Sequence, residues 1–135
     1  MAHDFHTQKI VDNVHKTIIK YTAICDGASG ELSKAILFDA SAYTPAATQN
    51  GVQYIDAVLV GCSAMLYWDS SATDVPLIGL PPDHSHRNDL REDDLPYLQN
   101  DVGTTATGDI LISTNGFTAV GDTISVILSV IKTGV

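Results

Sequence analysis

The chain has 135 residues, 44% of them hydrophobic and 17% charged, with 16 Asp and Glu against 7 Lys and Arg for a formal charge of −9. That length and apolar content fit one globular domain burying about two-thirds of its unfolded surface, and they exclude a disordered chain. The acidic balance, with no basic patch, excludes nucleic acid as a partner, and the longest apolar run, Ala57-Val58-Leu59-Val60, is far too short for a membrane-crossing helix.

Residues 1–14 are polar and carry His3, His6, Lys9 and Asp12 without a period, so they read as an N-terminal arm. They also lack the basic region and apolar core of a secretion signal, which predicts folding in a reducing cytoplasm. The remainder, 15–135, reads as one β domain. Residues 15–24 predict a first strand, with Ile19 and Tyr21 on one face and Ile18 and Ile24 on the other. Asp26-Gly27-Ala28-Ser29-Gly30 is a turn cluster, Ala35 to Asp39 a short apolar strand, and 40–51 a loop. Val52 to Val60 and Ala64 to Asp69 predict two further strands, separated by Gly61. Val75 to Leu80 follows, with Pro76 pointing to a sheet edge because proline cannot donate to a ladder.

Residues 81–107 form a long polar loop, in which Leu90, Asp94, Leu95 and Leu98 give a short helical pattern around 89–99. The chain closes with Gly108 to Thr114, the connector Asn115 to Asp122, and Thr123 to Lys132. Asn-Gly and Gly-Asp in that connector predict a hairpin. In the last run Ile124, Val126, Leu128 and Val130 share one face, while serines and isoleucines share the other. One side of that strand is therefore buried and the other half covered. Short strands with turn signals and no sustained helical period predict an antiparallel β-sandwich or jelly roll of about seven to eight strands.

Little in the sequence marks chemistry. It contains no nucleophile elbow, phosphate loop, dinucleotide fingerprint or Cys-x-x-Cys pair, so no catalytic residue and no cofactor is predicted. His84 and His86 alternate in an extended segment and form a weak candidate metal pair, against the plainer reading of an exposed loop. Glu92-Asp93-Asp94 lacks calcium-loop spacing and reads as a solvated face. Cys25 and Cys62 lie in apolar contexts and read as buried thiols. Trp68 is either a core residue or an interface anchor.

The run Leu66-Tyr67-Trp68-Asp69, then Asp74-Val75-Pro76-Leu77-Ile78-Gly79-Leu80, a polar insert, Gly108 to Phe117, and a final strand ending at Lys132 resembles small structural proteins of tailed bacteriophages. The resemblance spans residues 64–132, about half the chain. It implies a β-sandwich decoration or cement protein on the capsid surface of the virion, made in the host cytoplasm and often trimeric. Its implied partners are the major capsid protein or other virion proteins. The insert and the histidine-bearing arm depart from that pattern.

A compact domain with polar extensions gains buried area by docking them on a neighbour. Residues 1–14 and 81–107 are therefore expected to carry most inter-subunit contact. The contact candidates are Phe5 and His6 in the arm, Trp68, and in the insert Pro81, Pro82, Arg87, Arg91, Leu95 and Tyr97. Two other readings stand beside a decoration protein. One is a tail, neck or fibre component; the other is a carbohydrate-binding jelly roll that uses Trp68 and Tyr67 as a stacking platform.

Overall fold

A computed structural model describes residues 3–28, 30–43, 49–82, 85–89, 98–100 and 102–134. Among the described residues ten strands follow one another: β1 (Asp4–Asp12), β2 (Lys16–Ile24), β3 (Ala35–Phe38), β4 (Gln49–Val60), β5 (Ser63–Ser70), β6 (Val75–Leu80), β7 (Ser85–Asp89), β8 (Leu98–Gln99), β9 (Ala106–Asn115) and β10 (Thr123–Gly134). One sheet has the order β1-β2-β10-β4-β7, with β8 also on β4, and the other has the order β3-β9-β5-β6. Every pairing is antiparallel.

Eight strands in the orders β2-β10-β4-β7 and β3-β9-β5-β6 make a jelly roll, in which successive strands mostly alternate between sheets. Among the described strands only β1–β2 and β5–β6 are hairpin neighbours. The expected all-β antiparallel architecture is therefore the one the chain adopts.

The alternation of the sequence explains the core. Thr17, Ile19, Tyr21 and Ala23 of β2 point inward, as do Ile55, Ala57 and Leu59 of β4. Ile124, Val126, Leu128 and Val130 of β10 lie at 1% exposure or less. Ala64, Leu66 and Trp68 of β5, with Ile110 and Ile112 of β9, face them from the second sheet. Pro76 sits on β6, an edge strand, where its missing N–H costs no ladder bond.

Three expectations need correction. Residues 108–132 do not form a hairpin: β9 and β10 belong to opposite sheets, and 116–122 arch across the end of the sandwich. Gly116 and Gly121 both have positive φ, so they make separate turns rather than one. Phe117 between them is fully buried and closes the gap between the sheets. The arm is in large part the edge strand β1, paired with β2 from Asp4 to Asp12 with a register shift near Ile10. The polar insert contributes β7 and β8, which pair with successive parts of β4. The helical pattern at 89–99 falls mostly on 90–97, outside the described residues; the described ends of that stretch are strand.

At the far end a buried amide pair anchors the insert's return. Asn50 Nδ2 donates to the Gly108 carbonyl (2.9 Å), and Asn100 Nδ2 donates to Asn50 Oδ1 (3.2 Å). The Asn100 N–H donates to the Asn50 carbonyl at 3.0 Å. Both side chains are nearly inaccessible, so they persist only because their polar groups are satisfied.

Candidate functional site

Three regions carry more than core packing. The first is the outer face of the larger sheet. Ile24, Thr123 and Val60 lie side by side across β2, β10 and β4, with Thr22, Ser125 and Val58 in the next row. Ile24, Val58 and Val60 are 40%, 43% and 51% exposed. Within these rows those three strands present no charge, and Lys20 and Asp56 begin the row beyond, flanking Ile127. The sequence expectation of a half-covered second face on β10 corresponds to this surface.

The second is a shallow groove of about 300 Å³ on the outer face of the other sheet, lined by Ser63, Ala64, Met65, Tyr67, Ser113, Thr114 and Asn115. Its side chains offer hydroxyls, an amide and a thioether. Lys34 lies over the Tyr67 ring: its Nζ is 5.2 Å from the ring centroid and 3.2 Å from Asp74 Oδ2. The Ser70 N–H, then Lys34 itself, hold the Asp74 carboxyl below its ordinary pKa against the opposing effect of burial.

The third is the corner where β1 begins, beneath the β9–β10 arch. His3 packs its ring on Phe117 at 4.8 Å between centroids and edge-on to Phe5 at 5.9 Å. His3 Nε2 lies 2.8 Å from the Gly30 carbonyl, and Nδ1 accepts from the Asp26 N–H at 3.2 Å. These two contacts fix the tautomer with the proton on Nε2. The Cys25 thiol lies 3.6 Å from the Phe117 carbonyl, and its sulfur accepts from the Gly27 N–H at 3.3 Å. Asp26 Oδ1 accepts from the Ala28 N–H at 2.8 Å and lies 3.5 Å from His3 Nδ1.

The arch itself is pinned by carboxylates. Glu31 Oε1 accepts from the Phe117 N–H (2.7 Å) and the Thr114 hydroxyl (3.0 Å), while Oε2 accepts from the Gly116 N–H (2.7 Å). Desolvation works to raise the Glu31 pKa, but those three hydrogen bonds outweigh it and hold the carboxyl below its usual range. Asp122 Oδ2 accepts from the Thr118 and Ala119 N–H groups at 3.2 and 3.0 Å.

No family model, curated protein or solved structure matches this chain.

The residues singled out from sequence are dispersed. Phe5 and His6 are exposed on β1, Phe5 at 48%. Pro81 is half-buried and Pro82 exposed, just before β7. Arg87 of β7 pairs in register with Asp56 of β4. Arg91, Leu95, Tyr97 and His84 lie outside the described residues, and for His86 only its backbone place opposite Ala57 is described. Trp68 is 2% exposed within the core, so it is no contact residue of the folded domain, and it cannot share a platform with Tyr67, whose side chain points to the opposite face.

Cys25 and Cys62 are both buried, as their apolar contexts predict. Sequence reading missed the convergence of His3, Cys25 and Asp26. The only local signal was a cysteine and an aspartate opening a glycine turn, and the histidine arrives from 22 residues upstream through strand pairing.

Proposed function

We propose that this chain is a non-enzymatic structural protein that acts by packing against other protein, as a capsid decoration or cement protein on the surface of a tailed-phage particle. The supporting observation is the uncharged Ile, Val, Thr and Ser band on the outer face of the six-stranded sheet. The band is part of a larger outer face. With strands about 4.8 Å apart and the longer ones at least about 30 Å long, the whole face is at most roughly 700 Å² and includes the charged side chains of Lys20 and Asp56 in the row beyond the band. That is close to the ~800 Å² each partner contributes to a standard interface. The two segments expected to make subunit contacts, 1–14 and 81–107, supply β1 on one edge of that sheet and β7 and β8 on the other. Contact along them extends the same surface, and three copies sharing it is the arrangement favoured. The charge of −9 keeps free copies apart until that surface is engaged.

The carbohydrate-binding reading loses its support, because Trp68 is in the core and Lys34 lies over Tyr67. A tail or neck component uses the same kind of surface in fewer copies. Quantitative mass spectrometry of purified particles separates the two by copy number. A simple fraction of the major capsid protein supports decoration, a handful of copies moves the chain to the tail or neck, and absence from the particle refutes both.

A further inference from the structure

We infer that His3, Cys25 and Asp26 form a binding site for a divalent transition-metal ion of the zinc class, which locks the start of β1 onto the turn after β2. The His3 ring nitrogen, the Cys25 sulfur and an Asp26 carboxylate oxygen all lie within 4.8 Å of one another. Metal–ligand bonds of about 2.0–2.3 Å in tetrahedral geometry put ligand atoms roughly 3.3–3.6 Å apart. The Nδ1 to Oδ1 separation of 3.5 Å already meets that figure. With all three atoms within 4.8 Å of one another, bringing the sulfur in needs a shift of at most about 1–1.5 Å.

The surroundings are those a bound ion requires. A ligating imidazole donates its other N–H to a carbonyl or carboxylate, which aims the free lone pair at the metal. His3 Nε2 has the Gly30 carbonyl at 2.8 Å, leaving Nδ1 as the ligand atom. Ligating thiolates and carboxylates are steadied by N–H donors. The Gly27 and Ala28 N–H groups already serve Cys25 Sγ and Asp26 Oδ1. Two consecutive N–H groups, Gly27 and Ala28, thus point at the sulfur and the carboxylate oxygen, while the Asp26 N–H holds the Nδ1 lone pair in the absence of an ion. The His3 and Asp26 side chains are only 5% and 4% exposed, which limits competition from water.

Binding replaces two contacts. The ion takes the Nδ1 lone pair now held by the Asp26 N–H at 3.2 Å, a long hydrogen bond. It also displaces the Cys25 thiol proton to solvent, converting a weak S–H···O contact at 3.6 Å into a metal–thiolate bond. A thiolate, an imidazole and one carboxylate select zinc-like ions over calcium or magnesium, which prefer all-oxygen sets. Three protein ligands leave the fourth position to water.

The test is titration of the full-length reduced protein with Co²⁺ alone, followed by absorbance, then displacement by Zn²⁺. One equivalent should bind with a sulfur-to-cobalt charge-transfer band and the intense visible bands of tetrahedral cobalt, and Zn²⁺ should erase both. Cys25→Ser should abolish the charge-transfer band, Cys62→Ser should keep it, and His3→Ala should weaken affinity at least about tenfold. Should Cys25→Ser fold poorly, the wild-type Tm supplies a second reading: it rises with Zn²⁺, and the rise disappears in His3→Ala. A wild-type spectrum without the charge-transfer band, a band that survives Cys25→Ser, or a Tm indifferent to Zn²⁺ overturns the assignment.

Discussion

Lys132 Nζ and Asp12 Oδ1 lie 2.8 Å apart with side chains 3% and 9% exposed, an ion pair joining the last strand to the end of the first. The Thr17 hydroxyl donates to the same carboxylate oxygen at 3.1 Å, and the Lys132 N–H donates to the His15 carbonyl at 2.8 Å. Removing one partner from a buried pair leaves the other charge desolvated without its counter-ion. Lys132→Met should therefore cost about 3 kcal/mol, measured by urea unfolding. A double-mutant cycle with Asp12→Asn should show coupling between the two positions, the paired substitutions costing less than the sum of the single ones.

Glu31 and Asp109 should give opposite pH signatures. The Glu31 pKa is lowered on folding, so its carboxylate stabilises the fold above about pH 4.3, and that stability is lost as pH falls through the lower folded value. Glu31→Gln should destabilise only modestly at pH 7, since the carboxylate is solvent-exposed, with the difference from wild type shrinking below pH 4. Burial raises the Asp109 pKa despite the Ala40 N–H it accepts at 2.8 Å. Its charge opposes folding above the folded pKa, and stability returns as pH falls through that value. Asp109→Asn keeps an acceptor for Ala40 and should leave stability at pH 7 unchanged or higher. Paired urea titrations at pH 7 and pH 4 check both signs.

The arches should be sensitive positions. A Cβ on Gly61 would collide with the Asp122 carboxylate, and its φ of +78° is left-handed. Gly61→Ala should cost about 1–3 kcal/mol in chemical denaturation. Phe117→Ala opens a cavity between the sheets beneath the His3 ring and should cost about 3–5 kcal/mol.

Trp68 is the one tryptophan and is 2% exposed. Its emission should be blue-shifted and shielded from iodide in the folded protein, then red-shifted and quenchable in urea, in a single transition that coincides with the loss of sheet circular dichroism.

Much of the sandwich was legible because strands with one buried face carry strict alternation, as Thr17 to Ala23 and Ile124 to Val130 do. β1 was not legible, since its residues 4–10 are exposed on an edge that selects no apolar period. The β9–β10 arch was misread because Asn-Gly and Gly-Asp serve any positive-φ turn. Only burial of Phe117 and the pairing of β10 with β2 and β4 assign the strands to opposite sheets. The Asn50–Asn100 pair and the His3 corner join residues 50 and 22 or more positions apart, which no local pattern encodes. Trp68 carried two readings in sequence, and its inward place in the strand leaves the core one.

The most direct test of the proposed packing surface is binding of the purified chain to shells assembled without it, scored by co-sedimentation. A Val58→Glu, Val60→Glu double variant, folded by circular dichroism, should lose association. Ile36→Glu on the other sheet, at a residue 55% exposed, should bind like wild type. Retained binding of the double variant, or loss confined to Ile36→Glu, would contradict the assignment of the six-stranded face as the contact surface.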